Sequence, residues 1–123
     1  MSHLIAPSLL SADFSNLKKD IEMVNDSEAD WFHLDIMDGH FVPNISFGIP
    51  VVKSIKKYAK KTLDVHLMIK NPEDYIEKFI EVGADIITVH VEACKENTAH
   101  ILREIKQRNT KAGLAINPNT DYK

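Results

Sequence analysis

Residues 31–37 read Trp31-Phe32-His33-Leu34-Asp35-Ile36-Met37, so apolar side chains alternate with a histidine, an aspartate and a methionine. Successive side chains of a strand point to opposite faces, and this pattern predicts a strand with one apolar and one polar face. Residues 62–69, Thr-Leu-Asp-Val-His-Leu-Met-Ile, repeat the pattern with Asp64 and His66 on the polar face. Strands covered by helices on both faces are almost wholly apolar. The two runs therefore favour a sheet whose polar face lines a shared interior.

Strand-like and helix-like runs alternate along the chain. The predicted strands are residues 3–10, 31–37, 62–69, 85–91 and 112–117. Apolar residues recur three or four positions apart in the intervening segments, which predicts amphipathic helices around residues 14–24, 51–59, 75–80 and 101–105. Asn71-Pro72 predicts the start of the third helix and Gly83 its end. Parallel strands in this order fit a doubly wound sheet or half of a (β/α)₈ barrel, and the polar strand faces favour the barrel.

Length and composition narrow the class of protein. The chain has 123 residues, whereas a complete eight-fold barrel needs about 250. A net charge of −3 with mixed signs argues against nucleic acid or an anionic membrane as a partner. The first residues show no secretory pattern, and no apolar run approaches the length of a membrane span. With Cys94 as its single cysteine, the sequence predicts a cytoplasmic protein.

A possible metal site follows from the strand pattern. His33 and Asp35 lie two residues apart on one predicted strand, and His66 lies on the matching face of the next. Neighbouring strands are about 4.8 Å apart, so the three side chains can converge on one ion. A single histidine is better explained as a buried, hydrogen-bonded side chain. Three groups that share a face favour a joint role, because burying each without a partner is costly. Two imidazoles and a carboxylate suit zinc, iron, cobalt or manganese.

Four segments resemble the ribulose-phosphate 3-epimerase family. They are residues 7–14 (Pro-Ser-Leu-Leu-Ser-Ala-Asp-Phe), 33–44 (His-Leu-Asp-Ile-Met-Asp-Gly-His-Phe-Val-Pro-Asn), 63–69 (Leu-Asp-Val-His-Leu-Met-Ile) and 89–93 (Val-His-Val-Glu-Ala). The resemblance covers nearly the whole chain. It implies an α/β fold, a partial (βα)₈ TIM barrel of the ribulose-phosphate-binding type that runs from the first strand and helix through the fifth strand. Residues 1–123 would then be one domain, the N-terminal half of the barrel.

The same resemblance implies an isomerase of the pentose phosphate pathway that epimerises D-ribulose 5-phosphate at C3 to D-xylulose 5-phosphate. It implies one divalent metal ion (Zn, Fe, Co or Mn) with His33, Asp35 and His66 as its ligands. Asp35 would also be the catalytic base that removes the C3 proton. The sugar-phosphate substrate would be bound by Ser8, His66, Met37 and Met68. For the two methionines, ordinary core packing is an equally good interpretation. His90 and Glu92 lie at the carboxyl end of the fourth predicted strand and are not carried over as ligands.

The family's second acid and its phosphate-binding loops belong to the second half of the barrel and have no matching positions in this sequence. We therefore expect the chain alone to lack activity, and to form a homo-oligomer or to require a missing C-terminal half-barrel, because a half-barrel leaves strand edges unpaired. Two alternatives stay open: an allulose-6-phosphate 3-epimerase, and a non-catalytic metal-binding half-barrel fragment. Related decarboxylases and synthases are disfavoured, because His66 stands where they need a lysine.

Overall fold

The computed structural model describes residues 3–121, in which one parallel sheet is flanked by helices. Its strands, in chain order and in spatial order alike, are β1 (Trp31–Met37), β2 (Thr62–Met68), β3 (Ile86–His90) and β4 (Lys111–Ala115). The helices are α1 (Leu17–Asn25), α2 (Ile49–Tyr58), α3 (Ile76–Glu81), α4 (Val91–Cys94) and α5 (Thr98–Gln107). A sheet whose sequential strands are all parallel and joined by helices confirms the α/β prediction and is consistent with part of a TIM barrel. The predicted domain also includes Met1, Ser2, Tyr122 and Lys123, which lie outside the described residues.

The predicted first strand, residues 3–10, is not a regular strand. Its first part lies beside β1, where the carbonyls of Ile5 and Pro7 accept backbone hydrogen bonds and Ser8 forms an isolated parallel bridge. Its last residues turn into a 3₁₀ helix, Leu9–Ser11. Pro7 has no N–H to donate, and the N–H of Ile5 donates to the Asp30 carboxylate at 2.7 Å instead of to a strand. The segment therefore keeps the position of a first strand but lacks the reciprocal bonds of a ladder. The prediction of a regular strand here is wrong.

The predicted start and end of the third helix can be compared with the structure. At Asn71-Pro72 a 3₁₀ turn, Pro72–Asp74, begins instead of an α-helix, and α3 starts at Ile76. Gly83 follows α3 with φ +116°, a conformation that side-chain-bearing residues rarely adopt, so the predicted stop is confirmed. The short helix α4, directly after β3, is an element that the sequence did not predict.

The core lies on one face of the sheet, between the strands and the helices. The strands contribute the alternate apolar residues Phe32, Leu34, Ile36, Leu63, Val65 and Leu67, all buried. The helices contribute Ile21, Val52, Ile55, Ile76, Phe79, Ile101 and Ile105. The intervening residues of β1 and β2 lie on the opposite face and are only partly buried, as the alternation predicted. Across residues 3–121, no helix combines the length and the apolar character needed to cross a bilayer.

Close packing between β3 and β4 gives a first testable prediction. Gly113 pairs with Thr88 in register, and a Cβ at Gly113 would lie 2.5 Å from Thr88 Oγ1 and 3.3 Å from Thr88 Cβ. Because overpacking costs about 1–3 kcal/mol, Gly113→Ala should lower the free energy of unfolding by about that amount, measured by urea denaturation. Thr88→Ala removes the clashing oxygen, so the double variant should recover most of the loss. Additive losses in the double variant would contradict this explanation.

Candidate metal centre

The register of β1 and β2 brings the three predicted ligands together. Asp35 pairs with His66, and His33 lies one same-face position earlier on β1. Each of the three side chains offers one ligand atom, and these atoms all lie within 4.8 Å of one another. His33 Nε2 lies 3.0 Å from Asp35 Oδ1, and His66 Nδ1 lies 3.3 Å from the same oxygen. Two imidazole nitrogens and a carboxylate oxygen at this spacing fit a divalent transition-metal ion.

Asp35 is held on several sides. Ser8 Oγ donates a short hydrogen bond to Asp35 Oδ2, so the extended segment before β1 contributes to the site. Ser46, in the loop after β1, donates from its hydroxyl to the Asp35 carbonyl at 2.5 Å. Burial acts to raise the pKa of the Asp35 carboxyl, but hydrogen bonds from the two histidines and Ser8 outweigh it and hold this pKa well below its ordinary value. The side chain is therefore ionised at neutral pH.

His33 lies between two carboxylates. Its Nε2 faces Asp35, and its Nδ1 lies 2.8 Å from Asp64 Oδ2. Hydrogen bonds to Asp35 and then Asp64 raise the pKa of His33 to about 10 in the metal-free chain, against the opposing effect of burial. Asp64 can keep a proton on Nδ1 and thereby orient Nε2 toward the cluster. This arrangement is the usual support for a metal-binding histidine.

Beyond His66 lie His90 and Glu92, two residues to which the sequence analysis assigned no role. His66 Nε2 lies 2.8 Å from His90 Nε2, and His90 Nδ1 lies 3.3 Å from Glu92 Oε1. Burial lowers the pKa of His90, against the raising effect of the hydrogen bond to Glu92. Burial acts to raise the pKa of Glu92, but hydrogen bonds from Thr120, the Asn117 N–H and His90 hold it below its ordinary value. The alternation of side chains along β3 puts His90 on the polar face, and this sequence signal could have identified it as part of the site.

The remaining predicted site residues lie on the same face. Met37 and Met68 are register partners at the ends of β1 and β2, one same-face position beyond Asp35 and His66. Both are partly exposed, so they are not part of the buried core on the helix side. Ser8 is also partly buried. The predicted substrate-binding residues therefore border the candidate metal-ligand cluster at the carboxyl ends of the strands, where barrel enzymes bind their substrates.

The loop after β1 is fixed to the end of β2 by Asp38. Its Oδ1 accepts from the N–H groups of His40 and Phe41, and its Oδ2 accepts from the N–H of Lys70, all at 2.8 Å. Gly39 permits this turn with φ +74°. The loop places the Phe41 ring 5.2 Å from the His90 ring, measured between centroids. It therefore forms one wall of the site.

Comparisons with known proteins show which family the chain belongs to. The model of the ribulose-phosphate 3-epimerase family matches residues 4–123. A protein from Synechocystis named ribulose-phosphate 3-epimerase is 52% identical over 118 residues, which are 95% of this chain and 51% of that protein. The Bacillus subtilis protein of the same name is 47% identical over 116 residues, which are 94% of this chain and 53% of that protein. A rice protein named as the cytoplasmic isoform is 44% identical over 94% of this chain and 51% of its own length.

The chain spans about half the length of the curated relatives it matches. The family match covers nearly every residue that builds the sheet and the ligand cluster, and the relatives' identities hold over the same region. The chain therefore belongs to the ribulose-phosphate 3-epimerase family.

Proposed function

We propose that this chain provides the divalent metal site and one acid–base group of an enzyme that converts D-ribulose 5-phosphate to D-xylulose 5-phosphate by epimerisation at C3. The observation that carries the proposal is the convergence of His33, Asp35 and His66 within 4.8 Å on the open face of the sheet. The names of relatives at 52% and 47% identity support the reaction. The rice relative's name also supports a cytoplasmic location.

The residues of the cluster suit proton abstraction next to a ketone. The Asp35 carboxylate is ionised, as a base must be, and the hydrogen bond from Ser8 fixes one of its oxygens. His33 and His66 would hold the cation, zinc, iron, cobalt or manganese, together with Asp35. A bound cation would supply electrostatic stabilisation of the negative charge that develops on the substrate oxygens. Met37 and Met68 would pack against the flat, partly apolar intermediate.

We also propose that activity requires more of a barrel than β1 to β4. Inversion needs a second acid on the opposite face of the substrate, and the clustered carboxylate Asp35 serves only one face. Apolar side chains are exposed beside both outer elements of the sheet: Leu4 (60%) and Ile5 (57%) in the first segment, and Leu114 (42%) and Ile116 (44%) in and after β4. Such surfaces favour coverage by further strands, from a longer protein or from a second copy of this chain.

Metal analysis and an activity assay test these proposals together. The purified chain should bind about one Co²⁺ or Zn²⁺ ion, and should show no turnover of ribulose 5-phosphate in a coupled assay. A full-length protein that contains this chain should turn over ribulose 5-phosphate, and allulose 6-phosphate in parallel tests the six-carbon alternative. Light scattering on the chain should reveal self-association. Turnover by a 123-residue monomer would contradict the need for further strands, and absence of bound metal would contradict the metal site.

A further inference from the structure

His66 and His90 form a hydrogen bond through the edges of their rings. The two rings are almost parallel, with an interplanar angle of 16° and centroids 4.9 Å apart. Stacked rings keep about 3.5 Å between their atoms, so a nitrogen–nitrogen distance of 2.8 Å requires the ring edges to face each other. One nitrogen must donate and the other must accept, because two N–H groups or two lone pairs would repel.

The donor can be assigned from the neighbouring contacts. In the metal-free chain His66 Nδ1 donates to the Asp35 carboxylate at 3.3 Å, but with a cation bound this nitrogen would need a lone pair. Its proton then lies on Nε2 and is donated to His90 Nε2. The proton of His90 therefore lies on Nδ1, which faces Glu92 Oε1 at 3.3 Å. With a cation in place of the proton between His66 Nδ1 and Asp35, every nitrogen along this line would have a partner of the correct polarity.

Glu92 is itself anchored. Its two carboxylate oxygens accept from the backbone N–H of Asn117 at 3.3 and 3.2 Å. Asn117 follows β4, so the line of contacts crosses the sheet from β1 to the segment after β4. His90 is only 7% exposed. A buried side chain with both nitrogens engaged cannot rotate without breaking a hydrogen bond, which would leave a buried polar group unsatisfied.

We propose that His90, held by Glu92, is a positioning residue that fixes His66 in the tautomer with Nδ1 free to bind the cation. The role is an extension of the metal site proposed above and rests on it. His90 itself does not bind the ion. It accepts the hydrogen bond of His66 Nε2–H, as Asp64 does for the Nδ1 side of His33, so each imidazole of the cluster has its own acceptor on the outer side.

Cobalt binding by the 123-residue chain tests this role. His90→Phe keeps a ring of similar size but removes the acceptor, and it should weaken Co²⁺ affinity by about 10–100-fold, measured by competition with a chelator. His90→Gln retains an acceptor oxygen and should recover part of this loss. His100→Phe, the same change at an exposed histidine on α5, is the matched control and should leave the affinity unchanged.

A second measurement separates positioning from stability. In the Zn²⁺-loaded chain, imidazole ¹⁵N spectra should show a proton on His66 Nε2 and on His90 Nδ1. If His90→Phe does not fold, judged by circular dichroism, Glu92→Leu decides, since it removes the acceptor of the His90 Nδ1 proton and should weaken Co²⁺ binding. A parent-like affinity in a folded His90→Phe, or in a folded Glu92→Leu when His90→Phe is unfolded, would overturn the proposal. If the parent chain binds no Co²⁺, the metal site itself fails, and the role of His90 fails with it.

Discussion

Replacing Asp35 by asparagine is expected to give the largest functional loss of any single change in this chain. In a full-length protein that contains the chain, kcat/KM should fall by about 10²–10⁴-fold, because the amide cannot accept the substrate proton. In the chain itself, Co²⁺ affinity should fall by about 100-fold or more, because a neutral amide is a poor ligand for transition metals. Three side-chain contacts converge on this carboxylate, from Ser8, His33 and His66. Activity assays and chelator competition measure the two effects.

Asp38→Asn is the matched control for this prediction. Asp38 lies one residue beyond β1 and accepts hydrogen bonds from backbone N–H groups, a role that an amide oxygen can keep. Its carboxylate belongs to no described ligand cluster. The control should therefore bind Co²⁺ like the parent chain. Equal losses in the two variants would show that the effect comes from general charge or folding, and would contradict the assigned role of Asp35.

The largest effect on stability is expected from Phe32→Ala. Phe32 in β1 is fully buried on the helix side of the sheet and is the largest of the fully buried side chains. Truncating a buried phenylalanine costs about 3–5 kcal/mol, from lost burial together with the cavity that remains. Native domains are stable by only about 5–15 kcal/mol, so this loss removes a large share of the total. Urea denaturation, followed by circular dichroism, measures the change.

Phe14→Ala removes the same atoms from an exposed position. Phe14 is 52% exposed, and its ring contacts Phe47 edge to face at 5.8 Å between centroids. We expect this variant to lose about 1 kcal/mol, from the partial burial and the ring pair. A loss at Phe14 equal to that at Phe32 would contradict the placement of the core on the helix side of β1.

Much of the sheet could be predicted because strand alternation is a local property. At residues 31–37 and 62–69 every second side chain is apolar, and burial of those side chains fixes which face meets the helices. Two strands in exact parallel register then place Asp35 beside His66. The grouping of the predicted ligands thus follows from the alternation of side chains along each strand and from the register between β1 and β2. Their roles as ligands, and that of Asp35 as the base, stay predictions.

Other features depend on contacts between distant segments, which a local pattern does not encode. The segment 3–10 has strand-like composition, but the side chain of Asp30 takes the N–H of Ile5. Helix α4 has four residues, too few for a helical period to be recognised. Ser46 reaches the Asp35 carbonyl because of the path of the loop after β1. The partnership of His90 with His66 likewise requires the spatial order of β2 and β3.

The two faces of β1 and β2 have a consequence for redesign. Positions 33, 35 and 37 and positions 64, 66 and 68 carry the side chains in and around the candidate metal centre, while the positions between them carry buried apolar side chains. A library that randomises only the first set would sample new ion preferences and new reactions on an unchanged scaffold. One that randomises the intervening set would sample thermal tolerance at constant chemistry. In these two strands, packing and chemistry can thus be altered separately, because they depend on alternate positions of the same short segments.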